Sequence, residues 1–174
     1  MDLRYPIGPF KLDGAPTDDQ IKRAIDDIAE APAKLRASVG GLSAEQLETP
    51  YRPDGWTARQ VVHHIPDSHL NAYIRLRLAL TEDTPTIKPY DEGRWAELED
   101  ARTAPIDVSL ALLESLHKRW VMLLRSLGPA DLARVFNHPD IGMLTVGKNI
   151  CLYGWHSKHH VAHITSLRER MGWD

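Results

Sequence analysis

The segment GWHSKHHVAH (154–163) contains four of the nine histidines of the chain. An α-helix turns by about 100° per residue, so side chains four residues apart project from the same face. His156 and His160 have this spacing, and two imidazoles on one helix face can bind a single metal ion. The alternatives are a solvated polar face of a helix and a patch that binds nucleic acid.

Helical phase selects one pair of these histidines. His159 and His163 are also four residues apart, so spacing alone does not decide. His156 and His160 lie on the stripe that carries apolar residues such as Leu152, and His163 shares that stripe. His159 lies about 60° away, toward the edge of the stripe. We therefore favour His156 and His160 as metal ligands.

A third ligand is expected from the segment RQVVHHIPDSH (59–69). His64 lies close to the apolar stripe of this segment, whereas His63 is about 100° further round and is expected to face solvent. His69 lies between these directions and is less favoured as a ligand. Asp67, one turn after His64, is the only nearby candidate for a general base, and the alternative is that it is a solvated helix residue.

A buried histidine on an apolar helix face is more often a hydrogen-bonded core residue than a metal ligand. Here two helices direct imidazoles into one interior, and the cores of helix bundles are common places for metal sites. Three neutral nitrogen ligands suit Zn, Ni, Cu or Fe, and the sequence indicates no fourth protein ligand. His117 and His138 lack a comparable context and are expected at the surface or in capping positions.

Four long amphipathic helices must position these side chains. The capping boxes TDDQ and TARQ place two helix starts at Thr17 and Thr57. The predicted helices run from Thr17 to Gly40, from Thr57 to about Leu80, from about Asp107 to Leu127, and from near Thr145 to about Arg170. Such a set predicts an all-α four-helix bundle.

Shorter segments complete this prediction. Residues 1–16 are rich in proline and glycine and are expected to form an extended strap, and SAEQLE (43–48) predicts a short accessory helix. Pro32 is expected to kink or split its helix, and Pro66 is expected to bend the helix that carries His64. The segment FNHPDIGMLT (136–145) predicts a turn or a short hairpin.

Length and composition favour a soluble protein with one domain, spanning residues 1–174, because the chain has 174 residues and a net charge of −3. A nucleic-acid partner is not expected, since proteins of that class usually carry a basic excess. Cys151 is the single cysteine, which excludes an intrachain disulfide. No apolar run approaches the roughly 20 residues that span a membrane, and no signal peptide is evident, so we expect a cytoplasmic protein without a membrane partner.

Several long strings resemble one known family. They are RYPIGPF (4–10), the segment 49–85 that begins TPYRPDGW, PYDEGRW (89–95) and YGWHSKHHVAHITSLRERMGW (153–173). Together they closely resemble the YfiT branch of the DinB superfamily over nearly the whole chain. The resemblance implies a DinB four-helix bundle, a homodimer and one divalent metal ion. The three metal ligands that it implies fall on His64, His156 and His160, in agreement with helical phase.

The resemblance also implies an activity. Members of this branch resemble metal-dependent hydrolases of small molecules, and some relatives transfer a low-molecular-weight thiol, as bacillithiol transferases do. We expect Zn or Ni as the metal, activating either water or a thiol, and the lack of a compelling general base favours the thiol. The connection TEDTPTIKPYDEGRW (81–95) is a candidate for the mouth of the substrate pocket. A non-catalytic metal-binding or structural bundle is the alternative from another class.

Overall fold

Four long helices build the fold of the computed structural model, which describes residues 2–173. They are α1 (Asp18–Val39), α3 (Ala58–Thr81), α6 (Ile106–Leu124) and α8 (Val146–Met171). The connections hold the short helices α2 (Ala44–Leu47), α4 (Glu92–Ala96), α5 (Glu99–Thr103) and α7 (Pro129–Leu132), and the antiparallel strands β1 (Val135–His138) and β2 (Gly142–Thr145). The four long helices form a bundle, as expected. Their order around it is α1, α8, α3, α6, so α3 and α8 are neighbours.

Threonine side chains begin three of the long helices at the predicted positions. Thr17 and Thr57 each accept a hydrogen bond from the backbone N–H three residues later, and a glutamine side chain returns to the backbone of each cap. The side chain of Thr145 accepts a hydrogen bond from the backbone N–H of Lys148 and so caps α8, directly after the hairpin. These caps set the helical phase of the histidines on α3 and α8.

The structure corrects the bounds of several elements. α1 continues through Pro32 and α3 through Pro66, so neither proline splits its helix, because each helix buries apolar side chains on both sides of its proline. α6 ends at Leu124 rather than near Leu127. Just beyond Leu124, two successive backbone hydrogen bonds join residues three apart instead of four, which tightens the chain into a turn. The connection after α3 is partly helical. The strap of residues 2–16 contains neither helix nor strand, as predicted. No helix within residues 2–173 is long and apolar enough to cross a membrane.

A layer of histidines separates two apolar clusters in the interior. One cluster includes Ile28 and Trp120, and the other includes Leu35 and Leu113. The buried side chains between the clusters include His69 on α3, His117 on α6 and His160 on α8. Polar groups buried in this way are normally hydrogen-bonded or bound to a ligand, so each of these rings requires a partner.

Helices α1 and α8 approach each other closely beside the histidine layer. A Cβ atom on Gly154 would lie 2.9 Å from both Cα and Cβ of Ala24. Real Cβ atoms do not tolerate this distance, so only glycine allows the two backbones to pack here. The contact sits two residues before His156 and therefore sets the position of the predicted ligands relative to α1.

We expect Gly154→Ala to lower the free energy of unfolding by about 1–3 kcal/mol, because the new methyl group forces α8 away from α1. Urea denaturation of the metal-free protein measures this change. Gly40→Ala is the matched control: its Cβ would meet nothing closer than 3.4 Å, and its backbone is one that alanine adopts. Equal stability of Gly154→Ala and wild type would contradict the packing argument.

Candidate metal centre

The three predicted ligands lie together where α3 faces α8. One ring nitrogen from each of His64, His156 and His160 lies within 4.8 Å of the other two. The Nε2 atoms of His156 and His160 are 3.1 Å apart. Two nitrogens bound to one tetrahedral Zn²⁺ at about 2.0–2.1 Å are about 3.3–3.4 Å apart, so this pair has nearly the separation that a shared ion requires.

Burial keeps these three imidazoles neutral. It lowers the pKa of His64 to about 3, with smaller contributions from the neighbouring His163 and His159. Burial likewise lowers the pKa of His156 and of His160 well below 6.5, and the surrounding histidines add to the effect. A neutral imidazole carries one proton and one lone pair, so the remaining question is which nitrogen holds the lone pair.

A chain of hydrogen bonds answers this question for His156. The carbonyl oxygen of Ile28 can only accept, so Nδ1 of His117 donates to it at 2.6 Å. Burial lowers the pKa of His117 to about 4 and that of His69 well below 6.5, so both rings are neutral. Nε2 of His117 then accepts from Nδ1 of His69 at 2.7 Å, and Nε2 of His69 accepts from Nδ1 of His156 at 3.0 Å. The lone pair of His156 is therefore on Nε2.

A second chain orients His160. Nε2 of His163 donates to the carbonyl oxygen of Arg4 at 3.2 Å. Burial lowers the pKa of His163 to about 4, so its Nδ1 is free to accept from Nδ1 of His160, which lies 3.3 Å away. The lone pair of His160 is therefore also on Nε2.

The two lone pairs thus point at one another across 3.1 Å, and neither nitrogen has a proton to donate. Such a pair is repulsive unless a cation lies between the two atoms. Hydrogen bonds from the second ring nitrogen to a fixed acceptor are also the usual support of histidines that bind metal. The residues present therefore fit a divalent metal ion.

Some histidines lie where the sequence does not predict them. His63 is buried rather than solvent-facing, because the segment before α6 and α6 itself cover it. Its ring contacts Oγ of Ser109 at 2.7 Å and the carbonyl oxygen of Ala104 at 3.1 Å. His117 is 1% exposed, so the prediction of a surface position is wrong. His138 accepts a hydrogen bond from the backbone of the hairpin turn, in keeping with a capping position.

A cavity of about 510 Å³ opens onto the cluster. Oγ of Ser68 lies in its wall, 3.5 Å from Nε2 of His156 and 3.5 Å from the hydroxyl of Tyr153. Pro89, Tyr90 and Glu92 also line the cavity, so the connection after α3 borders the pocket as predicted.

Asp67 is not brought into this cavity. It is half-buried on α3, and burial together with the charge of Asp100 raises its pKa to about 6. The residues that line the cavity include its neighbours His64 and Ser68 but not Asp67 itself. Cys151 is buried and lines a separate groove.

The sequence profile of the DinB superfamily matches residues 27–164. The chain belongs to the DinB superfamily. A "putative metal-dependent hydrolase" of Bacillus mycoides (strain KBAB4) is 56% identical to this DinB protein over 172 residues, which is 99% of each chain. A protein of the same description from Oceanobacillus iheyensis is 55% identical over 173 residues, 99% of this chain and 100% of the relative.

A solved structure supports the same assignment. YfiT from Bacillus subtilis matches this DinB protein with a TM-score of 0.97 and 50% identity, over 100% of both chains. That protein is described as "a probable metal-dependent hydrolase with an unusual four-helix bundle topology". The family and the fold expected from the sequence are confirmed.

We expect His69→Leu to weaken metal binding by about 10–100-fold, because Nδ1 of His156 would lose the acceptor that keeps its lone pair on Nε2. His69→Gln is the rescue variant, since its amide oxygen can accept the same hydrogen bond. Competition with a chromophoric chelator measures the affinity, and the melting temperature of the metal-free proteins reports any general loss of stability. Equal affinity of the Leu and Gln variants would contradict this positioning role for His69.

Proposed function

We propose that this DinB protein is an enzyme that holds one divalent ion, Zn or Ni, on His64, His156 and His160 and acts on a small molecule in the adjoining cavity. One observation carries the proposal: the unprotonated Nε2 atoms of His156 and His160 face each other at the wall of that cavity. The relatives named as metal-dependent hydrolases support the same chemistry.

Three imidazole ligands leave coordination positions open, and a divalent ion held there acidifies water or a thiol that reaches it. The side chains of the cavity shield the site from solvent and offer a hydrogen-bond donor to the substrate. Trp56 packs against the ring of His64, with 4.7 Å between ring centroids, and shields it from solvent. Burial raises the pKa of Tyr153, so its hydroxyl keeps its proton at neutral pH and is available to donate a hydrogen bond to a substrate oxygen.

Hydrolysis and thiol transfer are the two candidate reactions, and they need different help from the protein. Attack by water benefits from a base that removes a proton, whereas a thiol that coordinates a metal is deprotonated outright. The carboxylates that line the cavity, Glu92 and Asp140, are exposed to solvent, and Asp67 lies outside it. The lack of a buried carboxylate among the described residues of the cavity wall supports a low-molecular-weight thiol as the nucleophile that is the alternative to water.

The test is turnover by Zn- and Ni-loaded protein of a panel of esters, amides and alkylating electrophiles, each with and without an added thiol. We expect turnover that depends on metal, is lost in His160→Ala and is retained in His159→Ala. Product without thiol would assign hydrolysis, and product only with thiol would assign S-transfer. A loaded protein that turns over nothing in the panel would instead support a non-catalytic metal-binding role.

We also propose that two copies of the chain form a homodimer, as the resemblance to the YfiT branch implies. Val108, Leu112 and Met122 on α6 are exposed apolar side chains that offer a surface for association. Light scattering during size-exclusion chromatography tests this proposal, since the monomer has a mass of 19.6 kDa.

A further inference from the structure

Arg75 projects from α3 into the same cavity as the histidine cluster. It follows His64 by 11 residues, which is close to three helical turns, so both residues lie on one face of the helix. Only 9% of Arg75 is exposed. A cationic side chain thus lines the cavity from within the protein rather than from its rim.

The charge of Arg75 has no counter-ion within salt-bridge distance among the described residues. Its buried Nε atom has no hydrogen-bond partner in the part of the chain that the structure describes. Among residues 2–173, no carboxylate forms a salt bridge with its guanidinium, although nine other pairs of Lys or Arg with Asp or Glu do so. Arginine does not lose its proton in proteins, and a buried charge without a partner is unfavourable. The position is therefore incomplete without a negatively charged group.

The groups around Arg75 do not supply that negative charge. The hydroxyl of Tyr153 stays protonated, because burial raises its pKa more than the nearby Arg75 lowers it. His138 also faces Arg75, and burial together with the Arg75 charge lowers its pKa, so it is neutral. Glu92 and Asp140 line the cavity but are exposed to solvent.

A short path of polar contacts joins Arg75 to the histidine cluster. Arg75 lies beside the hydroxyl of Tyr153, which is 3.5 Å from Oγ of Ser68. That oxygen is in turn 3.5 Å from Nε2 of His156. One small molecule can therefore reach both Arg75 and the histidines. Trp155 and Leu152 also line this space, and apolar walls strengthen an ion pair because they exclude water.

We propose that Arg75 binds an oxyanion of the substrate, a carboxylate or a phosphate, while the reacting end of the same molecule lies at His64, His156 and His160. The substrate class is thus a small anionic molecule rather than a neutral or cationic one. This inference rests on the proposed function for the role of the histidines, but the anion site itself depends only on Arg75 and the cavity.

Titration of the Co²⁺-loaded protein with thiols tests the proposal. Binding of a thiolate to Co²⁺ produces an absorption band, which gives the affinity of each thiol. Mercaptoacetate, 3-mercaptopropionate and 4-mercaptobutyrate are each compared with the mercapto-alcohol of the same length. For the best length we expect the carboxylate to bind at least about 30-fold more tightly than the alcohol, as for other buried charge pairs. Arg75→Met should abolish this preference and Arg75→Lys should retain part of it. Arg77→Met is the matched control, since Arg77 is exposed two residues away and should leave the preference unchanged.

A second measurement uses the metal-free protein and tests the anion site by itself. Butyrate or methyl phosphate should raise the melting temperature of wild type but not of Arg75→Met, and neutral butyramide should have no effect on either protein. The stronger of the two anions identifies the oxyanion. Failure to bind Co²⁺ would overturn the proposed function alone. Equal binding of the charged and neutral thiols would overturn the role of Arg75. If the protein does not bind Co²⁺, the melting temperatures decide, and no stabilisation by butyrate or by methyl phosphate would overturn that role.

Discussion

Metal binding is expected to disappear when any one of His64, His156 and His160 is replaced by alanine. Wild-type protein loaded with Zn²⁺ or Ni²⁺ and then desalted should hold about one ion per chain, since three imidazoles form one site. Each substitution leaves two ligands, too few to retain the ion through desalting. Elemental analysis of the desalted proteins measures the content directly.

His159→Ala is the matched control for these variants. His159 is adjacent to His160 on α8, is equally buried, and stacks on Trp155 with 4.4 Å between ring centroids. Its loss removes an imidazole and aromatic packing but none of the clustered nitrogens, so the metal content should remain near one per chain. Loss of metal from His159→Ala alone, with retention in the other three, would reverse the assignment made from helical phase.

Acid is expected to destabilise the metal-free protein steeply below pH 6.5. Burial lowers the pKa of His64 to about 3 and that of His117, His159 and His163 to about 4. In the unfolded chain these groups titrate near 6.5, so below that pH the unfolded state binds protons that the folded state excludes. Their stabilising effect is complete above pH 6.5 and is lost as the pH falls toward 4, or toward 3 for His64. Each such histidine lowers the free energy of unfolding by about 1.4 kcal/mol per pH unit.

Urea denaturation between pH 7.5 and 5.0 measures this dependence. His117→Gln provides the internal comparison, because it removes one titrating group that is not a predicted ligand and can keep a hydrogen bond to the Ile28 carbonyl. On unfolding below pH 6.5, this variant should take up about one proton fewer than wild type. The slope of its free energy of unfolding against pH should therefore be smaller by about 1.4 kcal/mol per pH unit. A free energy of unfolding that does not change between pH 7 and pH 5 would show that the histidines are not neutral in the folded protein.

The cluster of His64, His156 and His160 could be predicted from the sequence because it depends mainly on the helical phase of α3 and α8. α8 is uninterrupted from Val146 to Met171, so the directions of His156 and His160 follow from counting residues. The same count on α3 places His64 inward. Pro66 does not remove His64 from the cluster, because the helix continues on both sides of the proline.

The surroundings of the cluster depend on contacts between elements and could not be counted in this way. His63 is buried by the segment before α6, which the phase of α3 alone does not describe. The acceptors that set the two tautomers are the backbone carbonyls of Ile28 and Arg4, and every residue type carries such a group. A signal for His117 did exist: it lies four residues after Leu113 and three before Trp120, on the apolar stripe of its helix. The single domain and the cytoplasmic location stay predictions.

The contact between Arg4 and His163 has a consequence for the order in which the protein folds. These residues are 159 positions apart, so the contact between the carbonyl of Arg4 and the ring of His163 closes a loop of almost the entire chain. Contacts of such long sequence separation form late, because closing the intervening loop is entropically unfavourable. The lone pair of His160 is oriented only when this contact exists. Tight metal uptake should therefore be among the last events of folding, and a refolding experiment that follows metal capture would detect the native state and none of the earlier ones.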